Sequence, residues 1–240
     1  MEGRFFDLMR CSLSGLRDLF FERSCAVCGG TLASEEHLVC DHCRSDIPLT
    51  YFWNYSENAA MERLFDCRVS NAAALFFYRH DSPYCEIVRK FKYGRRRDLG
   101  LWAARLLGSY MAGGGLYGNV QAVVPVPLHP LKRWKRGFNQ AEIIARGVAE
   151  ELGGLEVAGR LLRRRRYTST QTRRSAQSRR RNVSGAFSLN AQQAARLKAS
   201  GINHILLVDD VMTTGATLKE CIHLLQPHFT VSVATLGFVE

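Results

Sequence analysis

The amino-acid sequence predicts an α/β protein, in which a parallel sheet is flanked by helices and preceded by a small cysteine-rich unit. From residue 72 onward, short apolar runs alternate with segments whose apolar positions recur at helical spacing, the order typical of parallel α/β sheets. Four cysteines in two close pairs lie ahead of that region. The length of 240 residues accommodates one large domain with a smaller appendage.

The predicted strands and helices follow one another in a regular order. Strands are predicted over 72–78, 122–126, 204–208 and 230–239, and helices over the segments 84–91, 99–110, 140–152 and 218–225. Apolar residues at helical spacing near the N-terminus predict a further amphipathic helix. The resulting boundaries are 1–24 for that helix, 25–50 for a zinc ribbon, 51–71 for a connector or hood, and 72–240 for the α/β domain.

Positive charge is concentrated in a few segments of the chain. The formal net charge is +11, from 33 Lys and Arg against 22 Asp and Glu. Residues 160–181 hold ten arginines and no acidic residue, and smaller basic clusters lie at 89–97 and 132–136. Such concentration indicates a phosphate-bearing ligand or a polyanion, and the alternative is a solvated basic surface loop.

The paired cysteines predict a metal site. Cys25 and Cys28 form one pair, and Cys40 and Cys43 form the other. Four thiolates at this spacing are the ligand set of a tetrahedral zinc ribbon. A disulfide pair and a redox dithiol are the alternatives, but two such pairs in tandem favour a metal. We therefore predict a closed, structural zinc site.

The strongest chemical signal is the window from Ile205 to Thr217. An apolar strand leads into Asp209 and Asp210, and a loop rich in Thr and Gly follows before the next helix. Open α/β sheets bind ligands at the carboxyl ends of their strands, and a glycine before a helix lets backbone N–H groups approach an anion. The window predicts a monophosphate pocket, with the two carboxylates on ribose hydroxyls directly or through Mg²⁺. The simpler alternative is a strand followed by an acidic helix cap.

This window resembles the binding motif for 5-phosphoribosyl-1-pyrophosphate (PRPP) in type I phosphoribosyltransferases. The resemblance implies a sheet of that fold, Mg²⁺ bound together with PRPP, and Asp209 and Asp210 as the catalytic pair at the ribose. It also implies a set of residues around the 5′-phosphate: Val211, Met212, Thr213, Thr214, Gly215, Ala216 and Thr217.

Further segments are similar to the ComF (competence protein F) family. They are Phe91-Lys-Tyr-Gly94, Val124-Pro-Val-Pro-Leu-His129 and Arg136-Gly-Phe-Asn-Gln140. The resemblance implies a zinc ribbon joined to a phosphoribosyltransferase-like domain, with a role in DNA uptake during natural competence. It implies a pyrophosphate loop containing Pro127, Leu128, His129, Arg136 and Gly137. A flexible loop, which either closes over PRPP or contacts DNA, would contain Arg166, Tyr167, Gln171 and Arg181.

Two functions of different classes stay open at the level of sequence. One is a phosphoribosyltransferase that binds PRPP or a related phosphoribosyl ligand and releases pyrophosphate to an unidentified acceptor. The other is a non-catalytic accessory of DNA import, which binds single-stranded DNA or docks a partner such as a competence helicase or translocase. No apolar run approaches the length of a membrane span, and the first residues mix charges with apolar positions, so we expect a cytoplasmic protein.

Overall fold

The computed structural model describes residues 23–94, 96–165 and 185–240. The chain divides between Ile47 and Pro48 into two compact units. Residues 1–22 of the predicted amphipathic helix lie outside the described residues. The same is true of the predicted loop residues Arg166, Tyr167, Gln171 and Arg181.

The first unit contains the short helix α1 (Asp41–Ser45). The second unit begins with a 3-10 turn, Phe52–Asn54, and continues with α2 (Ala59–Arg63), β1 (Ala72–Phe77), α3 (Cys85–Tyr93), α4 (Arg97–Gly113), β2 (Ala122–Pro125), α5 (Pro130–Arg136) and α6 (Gln140–Glu151). It ends with β3 (Glu156–Val157), β4 (Leu162–Arg164), β5 (Phe187–Leu189), α7 (Ala191–Ala199), β6 (His204–Met212), α8 (Ala216–Leu225) and β7 (Thr230–Phe238).

Five strands form one sheet in the order β1-β7-β6-β2-β3, and every pairing in it is parallel. The central strands read as continuous apolar runs because both faces of a parallel sheet are covered. Residues Ile205–Val208 of β6 and Val231–Leu236 of β7 are accordingly buried. The predicted α/β class, a parallel sheet with flanking helices and a cysteine cluster ahead of it, is confirmed.

Two short strands form a separate antiparallel pair. β4 and β5 pair from Leu162↔Leu189 to Arg164↔Phe187, and the Arg165 N–H donates to the Ala186 carbonyl at 2.7 Å. The carboxylate of Glu220 on α8 accepts from the Ala186 N–H at 2.8 Å, which ties this pair to the helix after β6. The pair therefore fixes Arg164 at a defined position relative to β6 and α8.

Helices α4 and α6 pack closely, and Gly147 permits the approach. A Cβ atom at Gly147 would lie 2.7 Å from the Ala104 Cβ and 3.1 Å from the Leu101 carbonyl oxygen. Gly147→Ala is expected to lower the free energy of unfolding by about 1–3 kcal/mol, because overpacking forces the helices apart. Urea denaturation measures the change. Gly113→Ala is the matched control, since its added Cβ meets open space, and an equal effect of both substitutions would contradict this explanation.

Candidate functional site

The four paired cysteines lie together in the first unit. The Sγ atoms of Cys25, Cys28, Cys40 and Cys43 are all within 4.8 Å of one another. Cys25 and Cys43 are buried, and the Cys28 and Cys40 sulfurs are 3.9 Å apart. Gly29 takes the left-handed conformation, with φ 76°, that lets the chain turn back after the first pair. Among the described residues, this is the one group of three or more potential ligands that meets at a point.

Backbone amides are arranged to stabilise a thiolate at Cys25. The N–H groups of Val27 and Cys40 each donate to its sulfur at 3.4 Å. Burial raises the pKa of this thiol, but the amide donors outweigh it and lower the pKa to about 6. Four sulfur donors with this support fit Zn²⁺ in a closed tetrahedral site. The predicted cysteine cluster is confirmed, and its chemistry fits a structural zinc.

In the sheet of the second unit, the direction in which successive strands are added reverses between β2 and β6, which makes this the topological switch point. From β2 the chain passes through α6 to β3 on one side of the sheet order, and from β6 it passes through α8 to β7 on the other. In open α/β sheets, ligands bind in the crevice that such a reversal leaves at the carboxyl ends of the strands. The segment after β2 and the acidic pair of β6 both lie at this edge.

Strand β6 is longer than the sequence predicted. Instead of ending at Val208, it continues to Met212, because β7 supplies hydrogen-bond partners as far as the pair Met212↔Phe238. Its other neighbour, β2, pairs only as far as Pro125↔Val208. Asp209 and Asp210 therefore lie on the part of β6 that extends beyond β2, in the crevice and not after the strand.

The two carboxylates have different surroundings. Asp209 is half-buried, and its Oδ1 accepts the backbone N–H of Asp210 at 2.8 Å. Burial, with a smaller contribution from the Asp210 charge, raises the pKa of Asp209 to about 7. Asp210 instead forms an ion pair with Lys92, whose Nζ lies 3.0 Å from the Asp210 Oδ2.

Several basic side chains from separate elements surround this pair. Burial and the nearby charges of Arg164 and Arg136 lower the pKa of Lys132 on α5 to about 8. Arg164 on β4 also lies over the Phe187 ring at 5.0 Å, and the charge of Asp209 partly offsets the effect of burial on its pKa. Lys92, Lys132, Arg136 and Arg164 therefore make the crevice a region where anionic groups are favoured.

The loop between β6 and α8 is held in place by hydrogen bonds from Arg63, the last residue of α2. Gly215 caps α8 in the left-handed conformation, with φ 73°, and Thr213, Thr214 and Thr217 flank it. Arg63 donates to the Thr213 carbonyl at 2.6 Å and to the Val239 carbonyl, and its guanidinium lies 4.1 Å from the Phe238 ring centroid. Val211 and Met212 belong to β6 itself, and the Met212 side chain is in the hydrophobic core.

The predicted pyrophosphate loop contains a helix. Pro127, Leu128 and His129 are half-buried in the exit from β2, and α5 then occupies residues 130–136. The His129 Nδ1 accepts the Leu131 N–H at 3.2 Å, Pro130 begins the helix, and Gly137 ends it with φ 79°. Proline at the start and a left-handed glycine at the end are common helix boundaries. Arg136 is thus placed by the last turn of a helix and bonds to the Gln140 side chain at 3.2 Å.

Sequence reasoning missed several residues of this site. In the sequence, Lys92 belongs to a segment similar to the ComF family, Arg63 lies in the predicted connector, and Lys132 and Arg164 belong to basic clusters. Patterns along the chain do not reveal such residues, because each reaches the crevice from a different element. The visible signal of Lys92, Lys132 and Arg164 is their membership of the basic clusters at 89–97, 132–136 and 160–181, and Arg63 lies in none of these.

The Mg²⁺ expected at the acidic pair does not fit the protein's own ligands. Asp210 already holds the Lys92 ammonium, and Asp209 already accepts a backbone N–H. No third carboxylate or histidine joins them among the described residues. Mg²⁺ is held in proteins by one or two carboxylates together with substrate phosphates and water, so this pair could serve as its ligands only after the Lys92 ammonium had left Asp210. In the described part of the chain, no helix is long and apolar enough to cross a bilayer.

The fold and the site together define a class: an α/β protein with a five-stranded parallel sheet, an acidic pair at its carboxyl edge and a four-cysteine unit ahead of it in the chain. Comparison with known proteins gives relatives, although no family model matches the chain. Competence protein F of Haemophilus influenzae is 28% identical over 86% of this chain and 92% of its own length. The DNA utilization protein YhgH of Salmonella typhimurium is 34% identical, and that of Escherichia coli K12 is 31% identical; both matches cover 60% of this chain. The match spans 61% of each YhgH protein, less than two thirds of its length. The predicted resemblance to the ComF family is confirmed by these relatives.

Proposed function

We propose that the protein binds a phosphoribosyl ligand of the PRPP class at the carboxyl edge of β6 and acts in the uptake or utilization of DNA. One observation carries the ligand class: an acidic pair and a glycine-capped helix N-terminus lie side by side at the switch point of a parallel sheet. The biological setting rests on the names of the relatives, competence protein F and DNA utilization protein.

The two ends of such a ligand would meet complementary groups. The N–H groups and hydroxyls from Thr213 to Thr217 suit a terminal phosphate at the start of α8. The Asp209 carboxylate suits the vicinal ribose hydroxyls, because a carboxylate accepts two hydroxyl hydrogens. The basic side chains Lys132, Arg136 and Arg164 suit the diphosphate on the opposite side of the ribose.

The same arrangement suits transfer of the phosphoribosyl group. The bond from the ribose C1 to the diphosphate oxygen would break, the diphosphate would leave with the electron pair, and an acceptor atom would bond to C1. Basic groups fixed near the departing diphosphate stabilise its developing charge, which is the electrostatic contribution such a reaction needs. Among the described residues, none is assigned as a general base.

Calorimetric titration of PRPP into the zinc-loaded protein tests this function. We expect saturable binding in the wild type and a loss of at least about tenfold in Asp209→Asn/Asp210→Asn, because hydrogen bonds to charged groups contribute about 1.5–3 kcal/mol each. Glu150→Gln/Glu151→Gln is the matched control, since it neutralises two adjacent, exposed carboxylates on α6. Absence of binding to the wild type, or equal affinity in the acidic-pair variant, would contradict the proposal.

The affinity for PRPP is expected to fall as the pH rises through about 8. Burial and neighbouring arginines lower the pKa of Lys132 to about 8, so its cation is lost above that pH while the diphosphate stays charged. Lys132→Arg keeps the charge at every pH of the experiment and should remove this dependence. Titrations at about pH 7, 8 and 9 measure it, and an unchanged slope in the variant would refute the role of Lys132.

A second candidate, binding of single-stranded DNA, is favoured by aromatic side chains beside the basic ones. Trp134 on α5 is 82% exposed and Tyr93 at the end of α3 is 72% exposed. The Arg136 guanidinium lies 5.3 Å from the Tyr93 ring centroid. Exposed rings among cations suit stacked bases and a phosphate backbone. Fluorescence anisotropy with an oligo-dT strand tests this candidate, and Trp134→Ala with unchanged affinity would count against it.

A further inference from the structure

Lys92 and Asp210 form an unusually enclosed ion pair at the proposed ligand site. The Lys92 Nζ lies 3.0 Å from the Asp210 Oδ2, and the two side chains are only 21% and 15% exposed. In the described part of the chain, every other ion pair includes at least one side chain that is 40% exposed or more. This pair is therefore the one that water screens least.

The surrounding helices hold Lys92 in place. Its neighbour Phe91 is fully buried, and the Phe91 ring lies 5.7 Å from the Phe138 ring. Gly100 on α4 leaves no room for a Cβ beside the Phe91 ring, so α3 and α4 are in close contact there. Burial lowers the pKa of Lys92, but the charges of Asp210 and Asp209 outweigh it and keep the amine protonated. A fixed ammonium therefore faces two adjacent carboxylates.

We propose that the Lys92 ammonium is the resident counterion of the acidic pair and takes the place that a divalent cation would otherwise fill. The protein then binds its phosphoribosyl ligand without a metal ion held by these aspartates. The ligand in this inference rests on the proposed function, whereas the counterion role of Lys92 does not.

The charge of the crevice agrees with this role. Lys92 neutralises the Asp210 carboxylate, so the pair presents at most a single net negative charge, that of Asp209, to the ribose. The basic side chains Lys132, Arg136 and Arg164 remain for the diphosphate, which a metal ion would otherwise neutralise. Opposite charges at this distance and burial attract strongly, so a hydrated divalent cation would have to displace Lys92 before it could bind.

The first test measures Mn²⁺ binding by electron paramagnetic resonance, without PRPP and without a chelator so that zinc is retained. We expect no Mn²⁺ site at the acidic pair in the wild type. Lys92→Met removes the ammonium and should bind Mn²⁺ at least about tenfold more tightly than the wild type does. The double variant Lys92→Met/Asp210→Asn should lose that site again.

Lys219→Met is the matched control for this test. Lys219 is 15% exposed and its Nζ lies 2.5 Å from the Asp66 Oδ1, so the variant removes another largely buried ammonium from an ion pair without exposing two adjacent carboxylates. It should gain no Mn²⁺ site. If Lys92→Met fails to fold, the wild type still decides: Mn²⁺ binding that Asp210→Asn abolishes would overturn the inference.

The second test titrates PRPP into the wild type with Mg²⁺ and in Mg²⁺-free buffer. We expect the two dissociation constants to agree within about threefold, and Lys92→Arg, which keeps the charge, to behave alike. A loss of tenfold or more without Mg²⁺ that disappears in Asp210→Asn would overturn the inference and leave the proposed function intact, because that metal ion would be held by the acidic pair. No binding in either buffer would refute the proposed function, and the Mn²⁺ measurement would still decide the role of Lys92.

Discussion

Cys25→Ser is expected to abolish stoichiometric zinc binding and to unfold the first unit. In its described part, residues 23–47, that unit buries few large apolar side chains, among them Val27, Leu32, Val39 and Ile47. A core of this size does not stabilise a fold alone, whereas a structural zinc contributes about 10–16 kcal/mol in peptides of this kind. Zinc content by a colorimetric chelator assay and backbone amide NMR spectra of the first unit measure the two effects.

Cys67→Ser is the control for this substitution, because Cys67 is a half-buried cysteine outside the cluster. It should leave both the zinc content and the spectra of the first unit unchanged. Adding a strong chelator to the wild type should reproduce the effect of Cys25→Ser, and adding zinc back should reverse it. A Cys25→Ser protein that keeps one tightly bound zinc and an unchanged first unit would disprove the structural role.

Arg63→Ala is expected to lower the free energy of unfolding by about 3 kcal/mol. Arg63 donates to two main-chain carbonyls, those of Thr213 and Val239, and lies over the Phe238 ring. Hydrogen bonds to charged donors contribute about 1.5–3 kcal/mol each and a partly exposed cation–π contact about 0.5–1 kcal/mol, and the partial exposure of Arg63 reduces their sum. Urea denaturation of the zinc-loaded protein measures the loss.

Arg68→Ala, an exposed arginine just beyond α2, is the control, and we expect its effect to stay within about 0.5 kcal/mol. Arg63→Ala should also weaken PRPP binding. Arg63 holds the Thr213 carbonyl and thereby fixes the backbone that leads into Gly215, so its loss loosens the proposed phosphate loop. If Arg63→Ala left stability and PRPP affinity as unchanged as Arg68→Ala does, the loop after β6 would not depend on its contact with α2.

Much of the sheet could be predicted because burial on both faces leaves a clear pattern. The runs at Ala122–Val126, His204–Val208 and Thr230–Val239 are mostly apolar and contain no charged residue when His is counted as neutral, and all three contain strands. The helices 97–113 and 140–151 were equally visible from their periodicity. The window around Asp209 and Gly215 was recognisable because a strand, an acidic pair and a helix start follow one another directly in the chain.

The rest of the site depends on contacts that no local pattern encodes. α5 was missed because four of its seven residues are basic and it is too short to show an apolar stripe, although Pro130 and Gly137 mark its ends. The extension of β6 to Met212 depends on β7, which supplies the hydrogen bonds. Lys92 and Arg63 reach the site from α3 and α2, so their roles became visible only when the fold brought these helices to β6.

The strand order has a consequence for the protein while it is being made. The partner of β1 in the sheet is β7, so the first strand cannot join the sheet until the last strand has been synthesised. A ribosome exposes Ala72–Phe77 long before Thr230–Phe238 has been synthesised. During that interval the edge of β1 that pairs with β7 has no partner strand, and such apolar edges pair with other chains. Slow translation should therefore favour aggregation, and a chaperone that covers extended apolar segments should raise the yield of folded protein.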